Sequence, residues 1–562
     1  MKGQGGKMNN PGLGISDFKM LRLQETYFVD KSLFIKNIID STSSVSLITR
    51  PRRFGKTLNM SMLRYYFDIN NKQEAEQMFK GLKIMEQGEE YTSKMGAYPV
   101  IYITLKDVND LNYEKMILDL KTAVIDMYRQ HMYLMESDKI YQFEKDQIMD
   151  ILYGRENEIV LKNSIKALSE LLFRHHGKPV VLLVDEYDVP IQNAYVQGYY
   201  EEAIKFYKTF YGTTFKDNPN LIKTVLTGVS RVAKESIFSG ANNFTCYTIL
   251  DKDFSQDFGF TSEEIDKIIE DFGITDQKDE IKKWYDGYRI GNSDNIYNPW
   301  SIVNYVVNRE LKPYWVNTSS NDLIKLVLKN SLTVKEKIEK LLQDEPIEVQ
   351  VNMETIIVGI ENNEENIWGL MLGTGYLKLV EDLGDNYYKV LAPNNEIKEL
   401  FRNIVRDWFT YRVPGNTLRE LLSDLTNFKT EEFEEKFKIL VKEMFSFMDV
   451  GQNQAENFYH AYVLGLLVGL KDTYHVNSNR ESGFGRYDIM LEPFDKTKNS
   501  FIMEFKVYKE EKESTIEDTL NNAKKQIEEK QYEQNLRERG FNNITKIAFA
   551  FKGKDVKMEI YT

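Results

Sequence analysis

The chain has 562 residues, with 73 Lys and Arg against 86 Asp and Glu and a formal net charge of -13. That balance excludes a generally basic nucleic-acid coat but leaves local basic patches open, and the length suits about three domains with full cores. A single cysteine, Cys246, excludes an intramolecular disulfide and a multi-cysteine metal cluster and points to a reducing compartment.

The opening MKGQGGKMNNPGLG is polar, unlike a secretory leader, and the longest apolar stretch, Ala461 to Leu470, is too short to span a bilayer. A cytoplasmic protein with no membrane partner is expected. Residues 1–60 carry ten Lys and Arg against four Asp and Glu, so an anionic ligand is expected near this end. Here Phe34, Ile35, Ile38 and Ile39 recur at helical spacing after Tyr27-Phe28-Val29-Asp30-Lys31, a place where a nucleobase could lie.

Val45, Ile48 and Thr49 belong to a short apolar run that enters Arg50-Pro51-Arg52-Arg53-Phe54-Gly55-Lys56-Thr57, followed by a helical pattern, LNMSMLRYYF. Strand, turn and helix in this order build a phosphate cradle. Backbone N–H groups of the turn and the helix N-terminus face phosphate oxygens, Lys56 supplies charge, and Thr57 supplies a metal-facing hydroxyl. Arg53, Phe54 and Gly55 complete the predicted nucleotide loop. The usual pattern places Gly five residues before Gly55, where this chain has Arg50.

Further strands are predicted at Tyr98 to Leu105, Lys178 to Val184 and Leu221 to Gly228, separated by helical stretches, which predicts a parallel α/β sheet. Ligands of such sheets sit beyond the strand carboxyl ends. Asp185 therefore takes the metal role and Glu186 that of a general base, while Asp188 offers a third carboxylate. Thr227 is placed to orient a terminal phosphate or water, and Arg231, Arg52 and Arg53 to stabilise charge.

Together, RPRRFGKT, Val184-Asp185-Glu186-Tyr187-Asp188 and Phe238-Ser239-Gly240-Ala241-Asn242-Asn243 resemble the bacterial AAA-ATPase-like family over roughly residues 14–300. The resemblance implies that Arg50 is the family's own form of the loop and that ATP is bound with Mg²⁺.

Near residue 250 the pattern turns helical, starting with the capping box Thr261-Ser262-Glu263-Glu264 and an apolar face of Ile265, Ile268, Ile269 and Phe272. Trp284, Tyr285, Tyr288 and Trp300 are assigned to a packed core. A hairpin is predicted from Gly375 to Leu379 and Tyr387 to Leu391, leaving a winged-helix-like unit as one form of this helical middle domain. After the helix Thr430 to Met444, the polar break Asp449 to Gln454 opens the last domain. The expected division is 1–250, 251–448 and 449–562.

In the last domain Asp488 begins one apolar strand, and Glu504 and Lys506 lie on the next. Residues two apart on a strand face one side, so Glu504 and Lys506 project together while Phe505 packs opposite. Two carboxylates suit Mg²⁺ or Mn²⁺, with Lys506 placing or polarising a water. Glu456 on a preceding helix adds a candidate ligand, with His460 one turn later. The arrangement resembles the PD-(D/E)xK nuclease superfamily, with Tyr487 where Pro is usual, and Gln526 is similar to the helix Gln of some members. The resemblance implies Asp488, Glu504, Lys506 and Gln526 as catalytic residues of an α/β restriction-endonuclease-like core.

The sequence is thus read as an α/β protein: a P-loop NTPase with a parallel sheet, a helical connector and a nuclease. Nucleic acid is the expected partner, DNA ahead of RNA, and a homo-oligomer is left open. The alternative is an ATP-dependent switch whose last domain binds nucleic acid or a partner without cutting it.

Overall fold

The computed structural model describes residues 11–231, 237–238, 244–316, 324, 328, 332–342, 344–353, 360, 363–410, 415–445, 459, 463, 466–470, 473–478, 481–482, 485–486, 488–509 and 513–562. The chain forms two compact units, one from residues up to 330 with 348–397, the other from 331–347 with 398–562. Among the described residues no helix is long and apolar enough to cross a membrane.

The first unit is organised by a sheet of five strands, β1 (Val45–Thr49), β2 (Val100–Thr104), β3 (Val180–Asp185), β4 (Leu221–Gly228) and β5 (Phe244–Tyr247), in the order β2-β3-β4-β1-β5. Every pairing is parallel, as the alternation of strands and helices predicts. Both faces are covered. Leu47, Ile103, Leu182 and Val184 pack towards helices Tyr113–Arg129, Glu158–His176 and Tyr200–Phe215. Ile48, Val181, Leu183 and Val225 pack towards helices Leu33–Asp40 and Lys56–Phe67. Burial on both sides explains why β3 is apolar through five positions rather than alternating. The register sets Thr49 beside Gly228 and Thr104 beside Asp185, so the strands deliver their carboxyl ends to one edge.

Beyond β5, helix Ser262–Asp271 starts with the predicted capping box: Glu264 N–H donates to Thr261 Oγ1 and Thr261 N–H to Glu264 Oε2. Hairpin β6 (Tyr288–Ile290) and β7 (Ser293–Ile296) leads to helix Pro299–Asn308, which Asn298 caps. The predicted later hairpin forms as β9 (Lys378–Gly384) with β10 (Tyr387–Leu391), and β8 (Ile347–Gln350) adds a third strand in the order β8-β10-β9.

Glu396, fully buried, accepts hydrogen bonds from Ser301 Oγ at 2.8 Å and Trp315 N–H at 2.7 Å. Burial outweighs these bonds and pushes its carboxyl from 4.5 up to about 8. Between those values the folded chain holds a proton that the unfolded chain has lost, so stability falls as pH rises, by at most about 1.4 kcal/mol per pH unit. Glu396→Gln is expected to flatten this decline in urea unfolding between pH 5 and 8; an unchanged slope would show that Glu396 does not titrate there.

In the second unit, β11 (Tyr474–Ser478), β14 (Ile489–Pro493), β15 (Ser500–Val507), β16 (Ile544–Lys552) and β17 (Asp555–Tyr561) form one sheet in chain order. A two-residue pair, β12 (Glu481–Ser482) and β13 (Gly485–Arg486), lies between the first two of these strands in sequence. Only β15 and β16 run parallel, because helix Ile516–Lys530 carries the crossover between them. One face presents Met490, Ile502 and Ala548 to Ala523 and Ile527 of that helix. The other packs Phe549 against Phe437 with the rings tilted and stacks Phe551 on Tyr459.

Candidate nucleotide and metal sites

At the sheet edge, the loop after β1 turns through Arg53 and Gly55 with φ of 67° and 84°, and helix Lys56–Phe67 begins at once. Lys56 is buried. Its ammonium donates to the carbonyls of Arg50 and Pro51, both at 3.2 Å, and lies 3.5 Å from Glu186 Oε1. Thr57 Oγ1 donates to Asp185 Oδ2 at 2.8 Å and Thr227 Oγ1 to Asp185 Oδ1 at 2.7 Å, so one carboxylate joins the loop helix to two strand tips. Burial and the neighbouring Glu186 charge push Asp185 up to about 6, against the two threonine bonds. Arg53, Phe54, Gly55, Lys56, Thr57 and Glu186 share the wall of a cavity of about 860 Å³. Asp185 and Thr227 stand buried behind Thr57, and Arg231, half-buried past β4, is off that wall.

In the second unit, β14 and β15 pair Ile489 with Met503, and one step further along this register Asp488 faces Glu504. Phe505 N–H donates to Asp488 Oδ2 at 2.7 Å, which fixes the first acid against the strand carrying the second. Glu504 is fully buried, with Lys506 Nζ at 3.4 Å. From the crossover helix Gln526 Nε2 donates to Tyr532 Oη at 3.2 Å. Burial pushes the Tyr532 phenol up to about 12, and the charges of Glu504, Asp488 and Lys506 all act on it, which places Tyr532 beside them.

Residues 12–238 match the family model of predicted AAA-ATPases, and residues 454–560 match that of the PD-(D/E)XK nuclease superfamily. The chain carries both domains. It is also similar to the protein described as "Uncharacterized protein in vnfD 5'region" of Azotobacter chroococcum mcd 1, at 26% identity over 400 residues, 69% of this chain and 68% of that one.

In the AAA-ATPase-like domain the Thr57 hydroxyl and Asp185 carboxylate make an all-oxygen donor pair of the kind Mg²⁺ takes beside nucleotide phosphates. In the nuclease-superfamily domain Asp488 and Glu504 could hold Mg²⁺ or Mn²⁺. Among the described residues no three Asp, Glu, His or Cys side chains converge in a metal-holding group. Two carboxylates nevertheless fit Mg²⁺, which keeps several waters and takes its other ligands from substrate phosphates. Glu456, His460, Tyr487 and Ser239 to Asn243 lie outside the described residues.

Three roles escaped sequence reasoning. Asp188 is a clamp on the turn after β4: its Oδ2 accepts from Val229 N–H, Ser230 N–H and Gln192 Nε2. Trp300, assigned to the core, lines the cavity and carries the Arg53 guanidinium 4.4 Å above its ring. Lys31, also on the wall, donates to Glu264 Oε2 at 2.6 Å and Gln256 O at 2.8 Å. Asn298-Pro299 reads as a helix cap and so announces that a helix begins at Pro299, with Trp300 in its first turn; nothing local announces what its indole meets.

Proposed function

We propose that the AAA-ATPase-like domain binds and hydrolyses ATP with Mg²⁺ and that the nuclease-superfamily domain cleaves DNA with Mg²⁺ or Mn²⁺ under nucleotide control. The observation that carries the nucleotide half is the Thr57–Asp185–Thr227 chain standing beside Lys56 at an 860 Å³ cavity. The cavity's apolar part, with Tyr27, Phe28, Val29, Phe272, Ile302 and Val306, suits the base, and its Lys56 side suits the phosphates.

Lys56 exchanges the Arg50 and Pro51 carbonyls and Glu186 for phosphate oxygens. Glu186, released from that ion pair, accepts the proton of the attacking water, while Thr227 keeps Asp185 oriented towards Thr57. In the second unit Asp488 and Glu504 would hold the divalent metal against which the scissile phosphate is placed, and Lys506 orients the water that attacks it. Bound divalent metal supplies charge neutralisation at both phosphates and a more acidic water at the nuclease centre. Control of one site by the other is inferred from their sharing one chain.

The test incubates single- and double-stranded DNA and RNA with Mg²⁺ or Mn²⁺, with and without ATP, for wild type, Lys56→Ala and Glu504→Ala. Metal-dependent cleavage of DNA by wild type and none by Glu504→Ala are expected. Lys56→Ala is expected to cleave without an ATP response and to lose the stabilisation that ATP at a hundred times its Kd gives the wild type, about 2.7 kcal/mol. No cleavage by wild type under any condition, with ATP stabilisation intact, would leave a nucleotide-binding switch instead.

A further inference from the structure

The RPRRF segment meets helix Pro299–Asn308 and its cap at two points. Asn298 caps helix Pro299–Asn308, accepting from Trp300 N–H at 3.0 Å and Ser301 N–H at 3.3 Å, and its Nδ2 donates to the Arg52 carbonyl at 3.3 Å. The Arg53 guanidinium lies 4.4 Å from the Trp300 ring centroid, a cation–π contact. Arg53 holds this position from a left-handed backbone, φ 67°, which a non-glycine residue adopts at a cost in strain.

Arg53 and Trp300 line the same cavity as Lys56 and Glu186. The Glu186 charge also reaches Arg53 and opposes the downward pull of burial and of Arg52 on its pKa. On the reading above, in which Glu186 takes the proton of the attacking water, the Glu186 charge acting on Arg53 sets the guanidinium towards the terminal-phosphate end of the cavity. A phosphate offers a guanidinium bidentate, charge-assisted hydrogen bonds, stronger than an indole face can provide. The helix beneath Trp300 carries Ile302 and Val306 on the cavity wall, so a change at Trp300 is felt there.

We propose that Arg53 discriminates nucleoside triphosphate from diphosphate, trading its stack on Trp300 for the terminal phosphate and thereby reporting that phosphate to helix Pro299–Asn308. The proposal rests on the nucleotide reading above.

The full chain is titrated calorimetrically with Mg-ADP, Mg-ATP and a non-hydrolysable ATP analogue, for wild type, Arg53→Ala, Arg53→Lys and Trp300→Phe. Trp300 emission is taken as the difference between wild type and Trp300→Phe. Wild type is expected to favour triphosphate over diphosphate, with Trp300 emission changing for triphosphate only. Arg53→Ala is expected to lose about tenfold of that preference, and Arg53→Lys, which keeps the charge but not the planar fork, to lose less. Arg53→Lys also covers the case in which the Ala variant fails to fold. An unchanged preference in both Arg53 variants, or equal Trp300 responses to the two nucleotides, would overturn this proposal alone. Wild type that binds neither nucleotide would overturn the nucleotide reading with it.

Discussion

Glu504→Gln is expected to cut metal-dependent cleavage by roughly a thousandfold while leaving the fold at least as stable as wild type. Glu504 is fully buried on β15 in parallel register with Ala548, on the face where Ile502 packs against the crossover helix. Packing there calls for a side chain of this shape, and an amide supplies it. Keeping a carboxylate ionised in such a place costs free energy that the Lys506 ammonium at 3.4 Å offsets only in part. A structural ion pair and a metal ligand therefore part company in this variant. A structural role predicts a lower unfolding midpoint; a ligand role predicts lost cleavage with an unchanged or higher midpoint. Thermal unfolding and a cleavage assay on one preparation separate the two, and a destabilised variant with cleavage intact would remove Glu504 from the chemistry.

What could be read from the sequence followed from locality. Strands β1, β3 and β4 are short apolar or β-branched runs whose ends carry polar side chains, and a sheet covered on both faces leaves few other places for them. Lys56, Thr57 and Asp185 converge because strand ends of a parallel sheet share an edge. Glu504 and Lys506 share a face through the two-residue period of a strand. What escaped depends on partners far away in sequence. The Asp188 clamp acts on a turn some forty residues downstream, and only the β3–β4 pairing brings them together. Strand β8 joins its hairpin after an excursion, residues 331–347, that belongs to the other unit, and no local pattern marks that crossing. The same distance dependence hid the reason for Arg50.

Arg50→Gly, which restores the usual glycine of a phosphate loop, is expected to destabilise the first unit by at least about 3 kcal/mol and to weaken nucleotide binding rather than improve it. The Arg50 side chain is fully buried and turned from the cradle. Its Nη1 donates to the carbonyls of Thr49, Tyr247 and Thr248, and its Nη2 to those of Asp253 and Phe254. Phe258 lies 5.5 Å from the guanidinium. Burial lowers its pKa to about 10, against the pull of Asp257 and Asp251, so it remains charged at neutral pH. These carbonyls end β1, end β5 and line the turn after β5, and a glycine would strip all five of their guanidinium donors, leaving the Thr248 carbonyl only Asp251 N–H and the Tyr247 carbonyl a long bond from Thr49 Oγ1. The Arg50 carbonyl itself receives Lys56 Nζ, so disorder at residue 50 passes directly to the lysine proposed to bind phosphate. Arg50→Lys, with one ammonium in place of a fork of donors, is expected to recover only part of the loss. Chemical denaturation of wild type and both variants, with Mg-ATP titrated into each folded form, tests the claim; tighter ATP binding by Arg50→Gly in a stable fold would show that the guanidinium obstructs the loop instead of building it.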